Sequence, residues 1–159
     1  MNLLIILLAI FSEKSISLTS PVFANNGDIP IKYTCQGPGT SPPLVIGKLP
    51  EGTVSLALTV DDPDAPNGGY DHWVVWNIDP ATTTIEEGSK PGTEGKNGSG
   101  EDGYKVPCPP TGKHHYHFKI YALDTKLKLD GTATKAQLQA AIKGHILGHG
   151  ELIGLYQKQ

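Results

Sequence analysis

The sequence predicts a mainly β protein with one helix near its C-terminus. Three stretches have the composition and apolar pattern that are typical of strands, whereas only one stretch, near residue 140, has helical spacing. The 19 glycines and 13 prolines among 159 residues indicate many turns between short elements. A chain of this length can bury a substantial core in one domain, so we expect a single domain over residues 16–159.

Three long strands are predicted. Apolar and small polar residues alternate over 54–60, which indicates a strand buried on one face. The stretch 72–78 is rich in Trp and Val without a break, as expected for a strand buried on both faces. Alternation returns over 116–123. Shorter strands are predicted at 16–22, 31–33, 44–46, 82–85 and 152–156.

The predicted helix begins at Thr134, which can act as the N-cap, with Gln137 as its capping-box partner. Apolar residues and histidines follow at helical spacing through His149, and Gly148 and Gly150 are interpreted as its limit.

The N-terminus carries nine consecutive apolar residues, 3–11. A membrane span needs about twenty residues, but nine suit the apolar core of a secretory signal peptide. Residues 1–15 are therefore predicted to be a signal peptide or an N-terminal extension. A periplasmic or secreted location is favoured over a cytoplasmic one, although a buried N-terminal strand is an alternative.

The two cysteines, Cys35 and Cys108, both lie in loops rich in Gly and Pro. They form one disulfide if these loops meet and stay free thiols otherwise. An oxidising compartment would favour the disulfide.

The charged residues argue against nucleic-acid binding. All thirteen basic residues are Lys, and the net charge is −3. Recognition of bases and bidentate binding of phosphates both depend on Arg, and no Lys cluster replaces it.

An acidic turn follows the first long strand. Residues 62–66 read Asp-Pro-Asp-Ala-Pro, and the two prolines make the turn stiff. Its carboxylates could simply accept backbone N–H groups, as in an Asx turn. A calcium loop does not fit, because Pro66 and Trp73 stand where ligands are required. His72 begins the next strand, so a short hairpin could bring it to the acids.

A second histidine-rich strand start occurs at 114–117, His-His-Tyr-His. Alternate residues of a strand share a face, so His114 and Tyr116 go with the apolar Phe118, while His115 and His117 face water. Zinc is not expected, because only two of the three histidines can point the same way.

In this order and spacing, the two segments resemble the phosphatidylethanolamine-binding protein family, most closely its bacterial and archaeal, Raf kinase inhibitor-like branch. The resemblance covers residue 16 to the C-terminus. It implies a large antiparallel sheet packed on a smaller one, with a C-terminal helix. It also implies a small-anion pocket formed by Asp62, His72, Pro110, His114 and Tyr116, with Pro63 and Asp64 supporting the turn.

In relatives, such a pocket accepts phosphate, phosphoryl-ethanolamine or a carboxylate. The resemblance thus implies a non-enzymatic binding protein without cofactor or metal, and by analogy a regulator or inhibitor of a kinase or protease. A homodimer is a further possibility. One alternative is a hydrolase of small esters or phosphoesters that uses Asp62 or His72 as general base. Another is an inhibitor that binds through the long loop 87–104.

Overall fold

The computed structural model describes residues 12–159, which form ten strands, one α-helix and two short 3₁₀-helices. The strands are β1 Lys14–Ser15, β2 Leu18–Thr19, β3 Gly27–Asp28, β4 Leu44–Ile46, β5 Ser55–Asp62, β6 Tyr70–Ile78, β7 Thr84–Ile85, β8 Thr93–Glu94, β9 His114–Leu123 and β10 Ile146–Tyr156. The helix α1 is Lys135–Ile142, and the 3₁₀-helices are Ile31–Tyr33 and Pro66–Gly68.

The large sheet has the strand order β1-β10-β9-β5-β6-β8, and β3 also pairs with β10. The long strands β10, β9, β5 and β6 run antiparallel to one another in this order. The short strands β1 and β3 pair in parallel with β10, which makes the sheet mixed. A second, antiparallel sheet has the order β2-β4-β7. The predicted fold class, a large sheet on a smaller one with a C-terminal helix, is confirmed.

The main core lies between the two sheets. Inward residues of β5 and β9, such as Leu58 and Phe118, pack with Leu44 and Ile85 of the small sheet in one buried cluster. Strand alternation produces this core, because every second residue of β9 points to the small sheet. A second cluster on the other face joins Trp76 of β6 to α1. The strand β6 is therefore buried on both faces, as its continuous Trp/Val sequence predicts.

The helix begins as predicted. Thr134 caps α1, and both hydrogen bonds of the capping box with Gln137 are present. The prediction that the helix continues through His149 is wrong, because α1 ends at Ile142 and the chain re-enters the large sheet as β10. The glycines of this region are needed for close contact instead. A Cβ on Gly150 would overlap the carbonyl oxygen of Ile16.

The short strands are less well predicted. The segment Ile31–Tyr33 is a 3₁₀-helix after Pro30, and not a strand. Only Leu18–Thr19 of the predicted strand 16–22 is paired, whereas the final strand is longer than predicted and starts at Ile146. The apolar run 3–11 lies outside the described residues, so export stays a prediction. Within residues 12–159, no helix is long and apolar enough to cross a membrane.

Candidate functional site

A cavity of about 220 Å³ is lined by all five residues that the resemblance assigns to a pocket. It lies where β5 ends and where β6 and β9 begin, and the segment 105–110 forms one wall. Its lining residues are Asp62, Ala65, Pro66, Tyr70, His72, Lys105, Val106, Cys108, Pro109, Pro110, His114 and Tyr116.

Asp62 joins the acidic turn to β9. It is the last residue of β5 and is almost fully buried. Its Oδ1 accepts a hydrogen bond from the Asp64 N–H at 2.9 Å, and its Oδ2 lies 2.7 Å from the Nδ1 of His114. Because a carboxylate only accepts, His114 donates from Nδ1. Asp62 therefore accepts a backbone N–H as in an Asx turn and also lines the cavity.

His72 is held by the wall segment. Its Nδ1 lies 2.7 Å from the carbonyl oxygen of Lys105, so Nδ1 carries the proton. Burial lowers the pKa of His72, and the carbonyl contact and nearby carboxylates of Asp62 and Asp71 offset this only in part. Near neutral pH the ring is thus mainly uncharged, with Nε2 as an acceptor.

Tyr116 lies between the two imidazoles. Its ring is 5.2 Å from that of His72, edge-on, and 6.5 Å from that of His114, nearly parallel. The side chain is fully buried, and its hydroxyl has no hydrogen-bond partner among residues 12–159. Burial, reinforced by the nearby Asp62, raises the pKa of Tyr116, so the hydroxyl keeps its proton. A buried donor without a partner is rare in folded proteins.

The residues predicted to support the turn lie outside the cavity lining. The Asp64 carboxylate accepts from the backbone N–H of His115 at 2.8 Å and from its Nδ1 at 2.7 Å. This contact, the side chain first and then the backbone, lowers the pKa of Asp64. Asp64 thereby ties the turn to β9, while Pro63 belongs to the turn itself. His115 is exposed and His117 half-buried, both on the side of β9 away from the core.

The cysteines meet at the edge of the cavity. Cys35 and Cys108 form a disulfide with a Cα–Cα distance of 5.4 Å, and Cys108 is part of the cavity lining. Among residues 12–159, no cysteine is free and no group of three His, Cys, Asp or Glu side chains is arranged to hold a metal ion.

A family model described as phosphatidylethanolamine-binding protein matches residues 19–157. The chain belongs to the phosphatidylethanolamine-binding protein family. A UPF0098 protein of Pyrococcus horikoshii is 47% identical over 158 residues, covering 92% of this chain and 80% of that protein. A protein of Mycobacterium tuberculosis named as a lipoprotein, LppC, is 40% identical over 150 residues, covering 92% and 74%.

Solved structures agree with this assignment. The crystal structure of a phosphatidylethanolamine-binding protein homologue from Chlamydia trachomatis superposes with a TM-score of 0.89 at 42% identity, covering 92% of this chain and all of that one. The YbcL protein of E. coli, described as a member of the mammalian family, superposes with a TM-score of 0.83 at 32% identity, covering 91% and 99%. This chain therefore has the same fold as these two proteins over nearly all of its described residues.

Several residues that line the cavity are not predicted from the sequence. Tyr70 lies on the same strand face as His72, with ring centres 4.7 Å apart, so the alternation that selected Tyr116 could have found it. Lys105 had no signal of this kind. It contributes a carbonyl oxygen from an irregular loop, and its ammonium group is paired with Glu101 at 3.0 Å.

Proposed function

We propose that this family member binds a small anion, a phosphate or carboxylate group, in the cavity and does not catalyse a reaction. The observation that carries the proposal is the buried Tyr116 hydroxyl, which has no hydrogen-bond partner among the described residues. Such a group costs stability unless something else accepts its hydrogen bond, and an oxyanion is a strong acceptor.

The two imidazoles would complete the site. In each ring Nδ1 is already engaged, by Asp62 for His114 and by the Lys105 carbonyl for His72. The Nε2 atoms make no hydrogen bond within residues 12–159 and can donate to an anion only when the rings are protonated. Anion binding should therefore be coupled to proton uptake.

The direction of the pH dependence follows from His72. Because burial lowers its pKa, this ring is uncharged at neutral pH and gains a proton only below the ordinary histidine value of about 6.5. Bound anion would favour the imidazolium, so affinity should rise as the pH falls and should decline as the pH increases. For each linked proton, the loss approaches about tenfold per pH unit above the pKa.

Sulfate is the best probe, because it keeps its double charge over this pH range, whereas phosphate titrates. We expect NMR titration of the protein with sulfate at about pH 5.5 to give at least tenfold tighter binding than at about pH 8. His72→Gln should flatten this profile. His117→Gln is the matched control, since His117 pairs with Glu151 away from the cavity. Sulfate binding that is independent of pH would contradict the role of charged histidines.

The hydrolase alternative is disfavoured by the lining of the cavity. Among residues 12–159, no Ser or Thr lines it, and the one lining Cys is in the disulfide. Asp62 is already bonded to His114, so a general base would have to be a histidine activating water. We expect a screen of small esters and phosphoesters to give no turnover that depends on His72 or His114. Turnover that disappears in His72→Ala would replace the binding proposal. Regulation of a kinase or protease stays a prediction.

A further inference from the structure

The disulfide lies in an accessible position beside the anion site. Cys108 lines the cavity, and both Cys35 and Cys108 are exposed to solvent. We therefore expect small thiols to reach this disulfide. Exposed disulfides are the class that is reduced most readily in proteins, in contrast to buried structural ones.

The wall segment 105–110 is fixed at two points. At one end, the Lys105 N–H donates to the His72 carbonyl oxygen at 2.7 Å, and His72 donates back to the Lys105 carbonyl. At the other end are the disulfide and the Cys35 N–H, which donates to the Pro107 carbonyl at 3.1 Å. The stretch 108–112, within the described part of the chain, makes no backbone–backbone hydrogen bond. The second end therefore depends mainly on the disulfide.

We propose that the Cys35–Cys108 disulfide positions the cavity wall for ligand binding, and that its reduction by thiols weakens binding at the site. In this step two external thiol groups, for example those of dithiothreitol, supply two electrons and two protons. The S–S bond of the protein breaks, two S–H groups form, and the reductant becomes a disulfide. This inference rests on the proposed anion site.

Release of Cys108 would act on the ligand through its neighbours. Pro109 and Pro110 follow directly and line the cavity, and the Lys105 carbonyl that orients His72 belongs to the same segment. A mobile wall must be ordered again when the ligand binds, so part of the binding free energy is lost. We expect the Kd for sulfate to rise about tenfold on reduction, within the usual range of coupling between two sites.

The coupling must be reciprocal. Saturating sulfate should make the disulfide harder to reduce by the same factor, which a titration with a dithiothreitol redox buffer can measure. The double variant Cys35→Ser/Cys108→Ser should have the weak affinity of the reduced protein and should not respond to dithiothreitol. His117→Gln should retain the full redox response, because His117 does not line the cavity.

Amide hydrogen exchange tests the wall without any ligand. Reduction should accelerate exchange at Cys35, whose N–H bonds to Pro107, by a larger factor than at core amides such as Ile120, which exchange faster only to the extent that global stability falls. If Cys35 and Ile120 accelerate by the same factor, the wall opens only together with the whole fold and the inference is wrong. Equal sulfate affinity in the two redox forms would also overturn it. If the oxidised protein does not bind sulfate or phosphate at all, the proposed function fails. Faster exchange at Cys35 after reduction would still show that the disulfide holds the wall in place.

Discussion

The Tyr116 hydroxyl is expected to act in opposite directions on the stability of the unliganded protein and on the proposed anion binding. It is fully buried without a partner among the described residues, which should cost about 1–3 kcal/mol in the unliganded protein. Functional sites commonly retain such unsatisfied groups because a ligand satisfies them. The hydroxyl of Tyr156, also on a buried ring, donates instead to Gln36. The two tyrosines therefore form a matched pair for experiment.

We predict that Tyr116→Phe raises the free energy of unfolding of the unliganded protein by about 1 kcal/mol, because it removes an unsatisfied group. The same change should weaken sulfate binding about tenfold, since a hydrogen bond to a charged acceptor is lost. Tyr156→Phe should instead lower the free energy of unfolding by about 1 kcal/mol and leave sulfate affinity unchanged. Urea unfolding and NMR titration measure both quantities. A Tyr116→Phe protein that is less stable and binds sulfate normally would show that the hydroxyl has only a structural role.

The individual site residues differ in how far sequence predicts them. Strand alternation placed His114 and Tyr116 on the core side of β9 and His115 and His117 on the other, and the structure has them there. The contact between Lys105 and His72 had no such basis. It depends on the path of a loop without a regular period, and its acceptor is a backbone atom that every residue possesses.

At the scale of elements, the most informative difference between the sequence prediction and the structure is at β10. From the sequence, Gly148 and Gly150 are interpreted as the limit of a helix, because Gly disfavours helices in general. In the structure they allow the N-terminal segment to lie against the strand, and the Ile16 N–H donates to the His149 carbonyl at 2.8 Å. Glycine can end a helix or allow another segment to lie close to a strand, and only the tertiary arrangement shows which of these roles applies. By contrast, the capping box of α1 is local and could be read from two residues.

We predict that Gly150→Ala lowers the free energy of unfolding by about 1–3 kcal/mol, because the added methyl group would overlap the Ile16 carbonyl. The amide of Ile16 should exchange faster with solvent in this variant. Gly131→Ala is the control, since a Cβ there meets only the Glu94 carbonyl oxygen at an ordinary 3.4 Å. It should change stability by no more than about 0.5 kcal/mol. Unchanged urea midpoints in both variants would contradict the close-contact interpretation of β10.

At the scale of the whole molecule, the disulfide joins distant parts of the chain. Cys35 follows the 3₁₀-helix Ile31–Tyr33, and Cys108 lies 73 residues later, just before β9. The intervening chain includes the strands β4 to β8, so the unfolded protein is strongly restricted while the bond is intact. The sequence identifies Cys35 and Cys108 as a possible pair. It does not decide between a disulfide and two free thiols, because that depends on whether the two loops meet.

We therefore predict that reduction of the disulfide lowers the free energy of unfolding by about 2–4 kcal/mol. The effect should arise mainly in the unfolded state, because closing a long loop removes conformational freedom from the unfolded chain. Urea unfolding with and without dithiothreitol measures it, and Cys35→Ser/Cys108→Ser should match the reduced protein. An unchanged midpoint would show that the bond does not restrict the unfolded chain.

The expected loss of stability on reduction is small beside the stability of many domains, which is typically about 5–15 kcal/mol, so the reduced protein should remain folded while its cavity wall is released. We therefore expect the same bond to stabilise the whole chain in an oxidising compartment, the predicted location, and to hold the wall of the proposed binding site in the native state.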